Sequence, residues 1–280
     1  METKRKTYDE LTFTDDFMFC EVLRNHPELC LKLAELMTGR KILTVRLPEA
    51  QKQEKFLYEG KGVRFDVTFE DEAHTEYDIE MQTVLKAGLS RRSRYYSSMI
   101  DMYHLKKGTE YSKLPDSYIV FICLEDPFKK DIARYTFRET CEELPDYRLE
   151  DGRTTIFINS KSPNGASPEL IALFDYLNGK APASDLTKAI EQAVLDQKDS
   201  EEGRLKFMTL QEHYDEEREI GKVEGIEIGK VEGIEIGTEK GIKIGKSEMI
   251  QNAVAAGKSV EQIADVLGIS VKEVQQLSQL

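Results

Sequence analysis

Cysteine is scarce in this chain, four among 280 residues, and no two of the four form a CxxC pair. Cys20, Cys30, Cys123 and Cys141 sit in apolar surroundings, so they read as reduced core residues of a cytoplasmic protein and not as a disulfide framework. Histidine is equally sparse and scattered, which argues against a zinc site. Long apolar runs are missing too: the longest, Tyr118 to Leu124, is far short of a membrane span. No apolar stretch follows Met1-Glu2-Thr3-Lys4-Arg5-Lys6, so no signal peptide is expected. Positive charge is in deficit, 39 Lys and Arg against 52 Asp and Glu, a net of −13 that looks wrong for a nucleic-acid partner. The deficit is uneven. Residues 1–130 are close to neutral, with 21 basic against 23 acidic side chains, while residues 131–280 carry 18 against 29. Between Thr83 and Ile100 there are four cations, Lys86, Arg91, Arg92 and Arg94, and no acid.

What is present is enough hydrophobic residue, 40 %, for a sizeable core, and a clear order of patterns. Residues 14–37 have helical spacing, with Thr14 placed to cap the start, Asp15 and Asp16 at the positive end, Pro27 dividing two helices and Gly39 closing the second. Residues 62–70 and 76–84 alternate polar and apolar, the sign of half-buried strands, and the polar stretch between them suits a hairpin turn about Ala73. Residues 89–106 are helical in spacing. Tyr118–Leu124, rich in β-branched residues, suits a strand buried on both faces, and Thr155–Ile158 a shorter one. The order helix, strand, strand, helix, strand is that of a mixed α/β domain.

Folding the hairpin about Ala73 sets Asp66 opposite Glu80, Thr68 opposite Asp78 and Arg64 opposite Gln82. Phe65, Val67, Phe69, Tyr77, Ile79 and Met81 then share the apolar face. Two carboxylates side by side on a sheet repel each other, and a bound divalent cation is the usual means of offsetting that. Hard oxygen ligands suit Mg²⁺ or Mn²⁺. The bland alternative is an ordinary hairpin with one wet, charged face.

Beyond residue 165 the pattern is helical at 168–178 and 184–218, with a break expected near Gly203. Residues 221–228 then repeat identically at 229–236, a decayed copy follows at 237–244, and glycine recurs every fourth residue from Gly221 to Gly245. Each such glycine costs a helix about 1 kcal/mol relative to alanine, which predicts a linker or a weak self-association element. The tail, 246–280, regains normal composition. Its Ser259–Ser270 stretch has a helix-turn-helix pattern. The second tail helix offers only Lys272 as a base, so the tail is expected to bind protein in preference to DNA.

The spacing of Asp66 from Glu80-Met81-Gln82, followed by Arg91-Arg92-Ser93-Arg94-Tyr95-Tyr96, resembles the Rpn family of recombination-promoting nucleases, also labelled PD-(D/E)XK-family transposases. Thr14–Phe19 resembles that family's opening helix, and the repeats and helical tail are similar too. The resemblance implies a restriction-endonuclease-like α/β core, a mixed central sheet flanked by helices, over residues 1–165. A helical extension at 166–220, the repeats at 221–245 and the tail at 246–280 would follow. It implies a metal-dependent DNA endonuclease of recombination or transposition, with Asp66, Glu80 and Gln82 catalytic and Asp66 and Glu80 holding Mg²⁺ or Mn²⁺. Gln82 takes the place of the more usual lysine and has no charge to give. Lys86, Arg91, Arg92 and Arg94 would bind DNA phosphates, against the alternative of a solvated helix face. Asp16 is an accessory carboxylate or a helix cap, and Tyr96 a site residue or core packing. A homodimer is expected, with no membrane partner. Two other readings stay open: an interaction protein with a vestigial site, and an RNA nuclease.

Overall fold

The computed structural model describes residues 5–47, 53–54, 63–64 and 66–278, with side chains outside the description at 53–54 and 63–64. Two compact units divide the chain, one up to Phe207 and one from Met208.

The first unit opens with α1 (Asp16–Asn25) and α2 (Pro27–Thr38). Asp15, not Thr14, is the residue before the first helical turn, and its Oδ2 accepts from Thr12 N at 2.7 Å. Pro27 starts α2, as its fixed φ and missing N–H suit a helix start, and Gly39 ends it in the left-handed region at φ 71°. Then come β1 (Val45–Arg46), a separate two-stranded ribbon of β2 (Gln53–Glu54) and β3 (Val63–Arg64), and the hairpin β4 (Val67–Asp71) and β5 (Glu76–Gln82). Asp71 builds the turn: its Oδ1 accepts from Ala73 N and Thr75 N, both at 2.9 Å. After α3 (Leu89–His104) the chain adds β6 (Ser117–Cys123), β7 (Arg134–Phe137) and β8 (Arg153–Asn159), then α4 (Pro168–Leu177) and α5 (Asp185–Asp199). The six-stranded sheet runs β1-β4-β5-β6-β8-β7, parallel across β5, β6 and β8 and antiparallel at both edges.

The hairpin register sets Thr68 opposite Asp78, as the alternation requires, and the ladder ends at Val67 opposite Ile79. Arg64 does not face Gln82. Its backbone pairs with Gln53 in the separate ribbon, because the chain leaves the ladder at Asp66. Phe65 lies outside the described residues.

Side chains alternate across the sheet into two cores. Val67, Phe69, Tyr77, Ile79, Met81, Tyr118, Val120 and Ile122 pack with α1, α2, α4 and α5. Ile119, Phe121, Cys123, Tyr135 and Phe157 pack with Leu89, Tyr96, Met99 and Ile100 of α3. The helices of the expected extension at 166–220 therefore share their core with the sheet. The polar face of β5 is not wet, because α3 covers it: Asp78 and Glu80 are 0 % exposed.

The next helix, α6 (Glu201–Ala255), begins after a break at Ser200. Gly203 lies inside it, where a Cβ would meet Tyr8 Oη at 2.3 Å and Gln197 Nε2 at 2.4 Å. Tyr8 Oη donates to the carbonyl of Gln197 at 2.6 Å, so glycine here permits a close approach.

In the second unit the repeats are helical, within α6. A helix already nucleated on both sides propagates through poor formers more easily than it starts in them. The seven glycines from Gly221 to Gly245 have no atom within 4 Å of an added Cβ. The end of α6 packs with α7 (Val260–Leu267) and α8 (Val271–Leu277) around Ile250, Ile263, Ala264, Val274 and Leu277. Gly268 makes the turn between α7 and α8 at φ 62°. Among the described residues, no helix is long and apolar enough to cross a membrane.

Candidate active site

The site forms where β4 begins, where β5 ends and where α3 crosses the sheet. Asp66 is tied to the end of β5 by two bonds. Asp66 N donates to Glu80 Oε1 at 3.1 Å, and Met81 N donates to Asp66 Oδ2 at 3.0 Å. The carbonyl of Asp66 is held from α1 by Arg24 Nη2 at 3.1 Å and Cys20 Sγ at 3.4 Å. Asp66 is therefore fixed on three sides by two elements, although it lies outside the strand ladder.

Glu80 shares its face of β5 with Asp78 and Gln82. Arg92 reaches across from α3, its Nη1 donating to Gln82 Oε1 at 3.0 Å and its Nη2 pairing with Glu80 Oε2. Gln82 Nε2 donates to the Met81 carbonyl at 2.8 Å. The guanidinium of Arg92 lies over the Tyr96 ring at 4.9 Å and the Phe121 ring at 5.4 Å, a cation–π seat that fixes the fork. Tyr96 is buried in the core under α3, with its ring beneath the Arg92 guanidinium.

Asp78 is the unusual member. Both of its oxygens are buried with no hydrogen-bond partner. Burial, reinforced by the charges of Glu80 and Asp66, pushes its carboxyl well above the ordinary range. Glu80 is raised by burial and then by Asp66, and Asp66 by burial and then by Asp16. Arg92 opposes the rise at all three.

Asp16 of α1 belongs to the same neighbourhood: ligand atoms of Asp16, Cys20 and Asp66 all lie within 4.8 Å of one another. Lys86, Arg91 and Arg94 are exposed. Lys86 and Arg91 line a cleft of about 550 Å³ with Leu85, Pro127 and Phe128, beside the start of α3. That helix has no side-chain cap and no acid in its first turn. Arg92, grouped with them by sequence, is turned inward and differs from its neighbours in that respect.

Sequence reasoning missed Asp78, Cys20 and Arg24. Asp78 had a signal, since it alternates onto the face of Glu80. Cys20 and Arg24 had none, because only the packing of α1 brings them to Asp66.

The donor set fits a hard divalent cation. Carboxylate oxygens of Asp16 and Asp66 lie within 4.8 Å of each other and of Cys20 Sγ, and Glu80 accepts from Asp66 N beside them. No curated protein and no solved structure matches the chain. The family described as PD-(D/E)XK nuclease family transposase matches residues 18–166, from α1 through the last strand of the sheet and over half of the chain. With its six-stranded mixed sheet flanked by helices and its acidic strand pair, the chain belongs to the PD-(D/E)XK nuclease family transposases.

Proposed function

We propose that the protein is a divalent-cation-dependent endonuclease that hydrolyses phosphodiester bonds of DNA in recombination or transposition-like processing. The observation that carries this reading is the half-buried Asp66 bonded to the buried Glu80, beside an unpartnered Asp78 and inside the family-matched core. Like charges held close raise a neighbour's pKa, as Asp66 does for Glu80 and Asp16 for Asp66, and favour uptake of a cation. Asp66 and Glu80 would hold Mg²⁺ or Mn²⁺, with Asp16 as an accessory carboxylate. When bound, such an ion activates water and stabilises charge on the phosphate.

The chain's own residues supply the remainder. Asp66 is positioned by Met81 N, Arg24 and Cys20, so its carboxylate stays aimed without substrate. Gln82 can orient a water or a phosphate oxygen. Lys86, Arg91 and Arg94 would dock the DNA backbone through exposed cations near the uncapped start of α3, where backbone N–H groups also favour anions. In the hydrolysis itself a water oxygen bonds to phosphorus and one phosphorus–oxygen ester bond breaks. One water proton ends on the leaving alcohol.

The tail is proposed as a protein-binding element, since α8 carries a single base, Lys272, and the whole protein as a cytoplasmic homodimer. The choice of DNA over RNA rests on the family's description as transposases. The test is to incubate labelled duplex DNA and single-stranded RNA separately with the full chain, in Mg²⁺ and in EDTA. Mg²⁺-dependent products from DNA are expected. Cleavage of RNA alone would make the protein a ribonuclease, and no cleavage of either would leave the carboxylates vestigial.

A further inference from the structure

The family's name places a lysine two residues after the strand carboxylate, and in this chain that position holds uncharged Gln82. Positive charge nevertheless stands at the same place, delivered from another element. Arg92 rises from the first turn of α3, and its two terminal nitrogens reach Gln82 Oε1 and Glu80 Oε2, the side chains of the motif itself. The side chain is 30 % exposed, so the fork keeps an open side while its plane rests on Tyr96 and Phe121. Of its five N–H donors, the bonds to Gln82 and Glu80 use one on each terminal nitrogen and Tyr96 takes a third, which leaves donors for a further acceptor. A planar fork seated on aromatic rings is preorganised for the paired oxygens of a phosphate in a way a mobile lysine is not. Arg91 and Arg94, exposed on neighbouring turns, lack such a seat among the described contacts.

We propose that Arg92 supplies from α3 the positive charge that Gln82 cannot, and that its guanidinium contacts the phosphate undergoing cleavage. The inference rests on the nuclease reading and deepens it. Charge grows on the non-bridging phosphate oxygens as the ester bond breaks, and a fixed donor aimed there stabilises that state more than the bound substrate. Gln82 then positions Arg92, because its Oε1 accepts from the guanidinium and holds the fork in place. The charge has moved from strand to helix while the locus is retained.

The experiment compares wild type, Arg92→Ala, Arg92→Lys and the double variant Gln82→Lys/Arg92→Ala, all as the full chain. Two quantities are read: kcat at saturating duplex DNA and Mg²⁺, and the affinity for Mn²⁺ alone by calorimetry. Loss of one preorganised donor lowers kcat by about 10²–10³-fold, and Arg92→Ala is expected to fall by that much. Its Mn²⁺ affinity should be unchanged or tighter, because a cation competing for Glu80 has gone. Arg92→Lys should retain part of the rate, and Gln82→Lys should recover at least about tenfold in the Arg92→Ala background, by returning charge to the motif. A merely structural Arg92 predicts the reverse pattern, with weakened Mn²⁺ binding and no recovery from the strand lysine. Should Arg92→Ala not fold, Arg92→Gln keeps a donor for Glu80 without charge and should show the same fall in kcat. A kcat within about threefold of wild type for the folded, uncharged variant overturns the inference while wild-type activity leaves the nuclease reading standing. A wild type without metal-dependent cleavage overturns both.

Discussion

Asp78 offers the sharpest physical test, because its environment in the metal-free protein is destabilising. It is fully buried, and neither oxygen has a hydrogen-bond partner. Leucine removes both orphaned acceptors but is bulkier than aspartate. An unpaired buried polar group costs about 1–3 kcal/mol, and overpacking in a closed core returns about 1–3 kcal/mol. The two nearly cancel, so Asp78→Leu is expected to shift stability by no more than about 2 kcal/mol in either direction. The informative quantity is the dependence on pH, and its sign follows from linkage. The folded-state pKa of Asp78 lies above its unfolded value, so the folded protein binds that proton more tightly. The resulting stability is fully present below the unfolded pKa and is lost as pH rises through the folded one. Glu80 and Asp66 are raised as well and act in the same direction. Wild type in EDTA should therefore be more stable at pH 5 than at pH 8, and Asp78→Leu should flatten that difference. Thermal unfolding followed by circular dichroism, in EDTA at both pH values, measures it. An undiminished pH difference in Asp78→Leu would refute the reasoning, because Asp78 would then have a partner that the packing conceals.

Other perturbations separate the remaining parts. Replacing Lys86, Arg91 and Arg94 together with alanine should weaken binding to all duplexes and lower the slope of log affinity against log salt by up to about 0.9 per lost phosphate contact. An unchanged slope would place these cations away from DNA. Gly225→Ala, Gly229→Ala and Gly233→Ala have open space at the added Cβ. Each should stabilise α6 by up to about 1 kcal/mol, seen as greater helicity on heating; a loss of helicity would mean that another surface needs the glycines. Gly203→Ala should instead destabilise by about 1–3 kcal/mol through overpacking against Tyr8 and Gln197, and unchanged thermal unfolding would show that both side chains move aside freely. A chain ending at residue 218 should fold and keep its cleavage chemistry, since the first unit ends at Phe207. A folded truncation that binds metal but cannot cut would make the tail part of the active assembly.

The hairpin was legible because strict alternation fixes which residues share a face, and Asp71 makes the turn that alternation requires. The run Tyr118–Cys123 was legible as a doubly buried strand because both of its faces are apolar. The covering of the second face of β5 was not. Asp78, Glu80 and Gln82 look like a wet face in sequence, and only the path of α3 over β6 makes that face dry. Arg92 illustrates the same limit: a cation among Arg91 and Arg94 reads as one of a set, yet helical phase turns it inward and its neighbours outward. The short strands β1 and β7 carry too few residues for periodicity to register. The helicity of the repeats was not legible either. Glycine content argued against a helix locally, whereas the flanking helical segments carry the ladder through.

Everything proposed for the site depends on Asp66 and Glu80 working through a divalent cation. Supercoiled plasmid incubated with the full chain in Mg²⁺ tests this most directly, with EDTA and with Asp66→Ala and Glu80→Ala as the comparisons. Nicked or linear product should form with Mg²⁺, vanish in EDTA and return when Mg²⁺ is restored in excess. Both variants should remain folded, because removing either carboxylate relieves repulsion around Asp78, and neither should cut. Wild-type cleavage by a folded Asp66→Ala or Glu80→Ala variant, or undiminished cleavage in EDTA, would contradict that dependence.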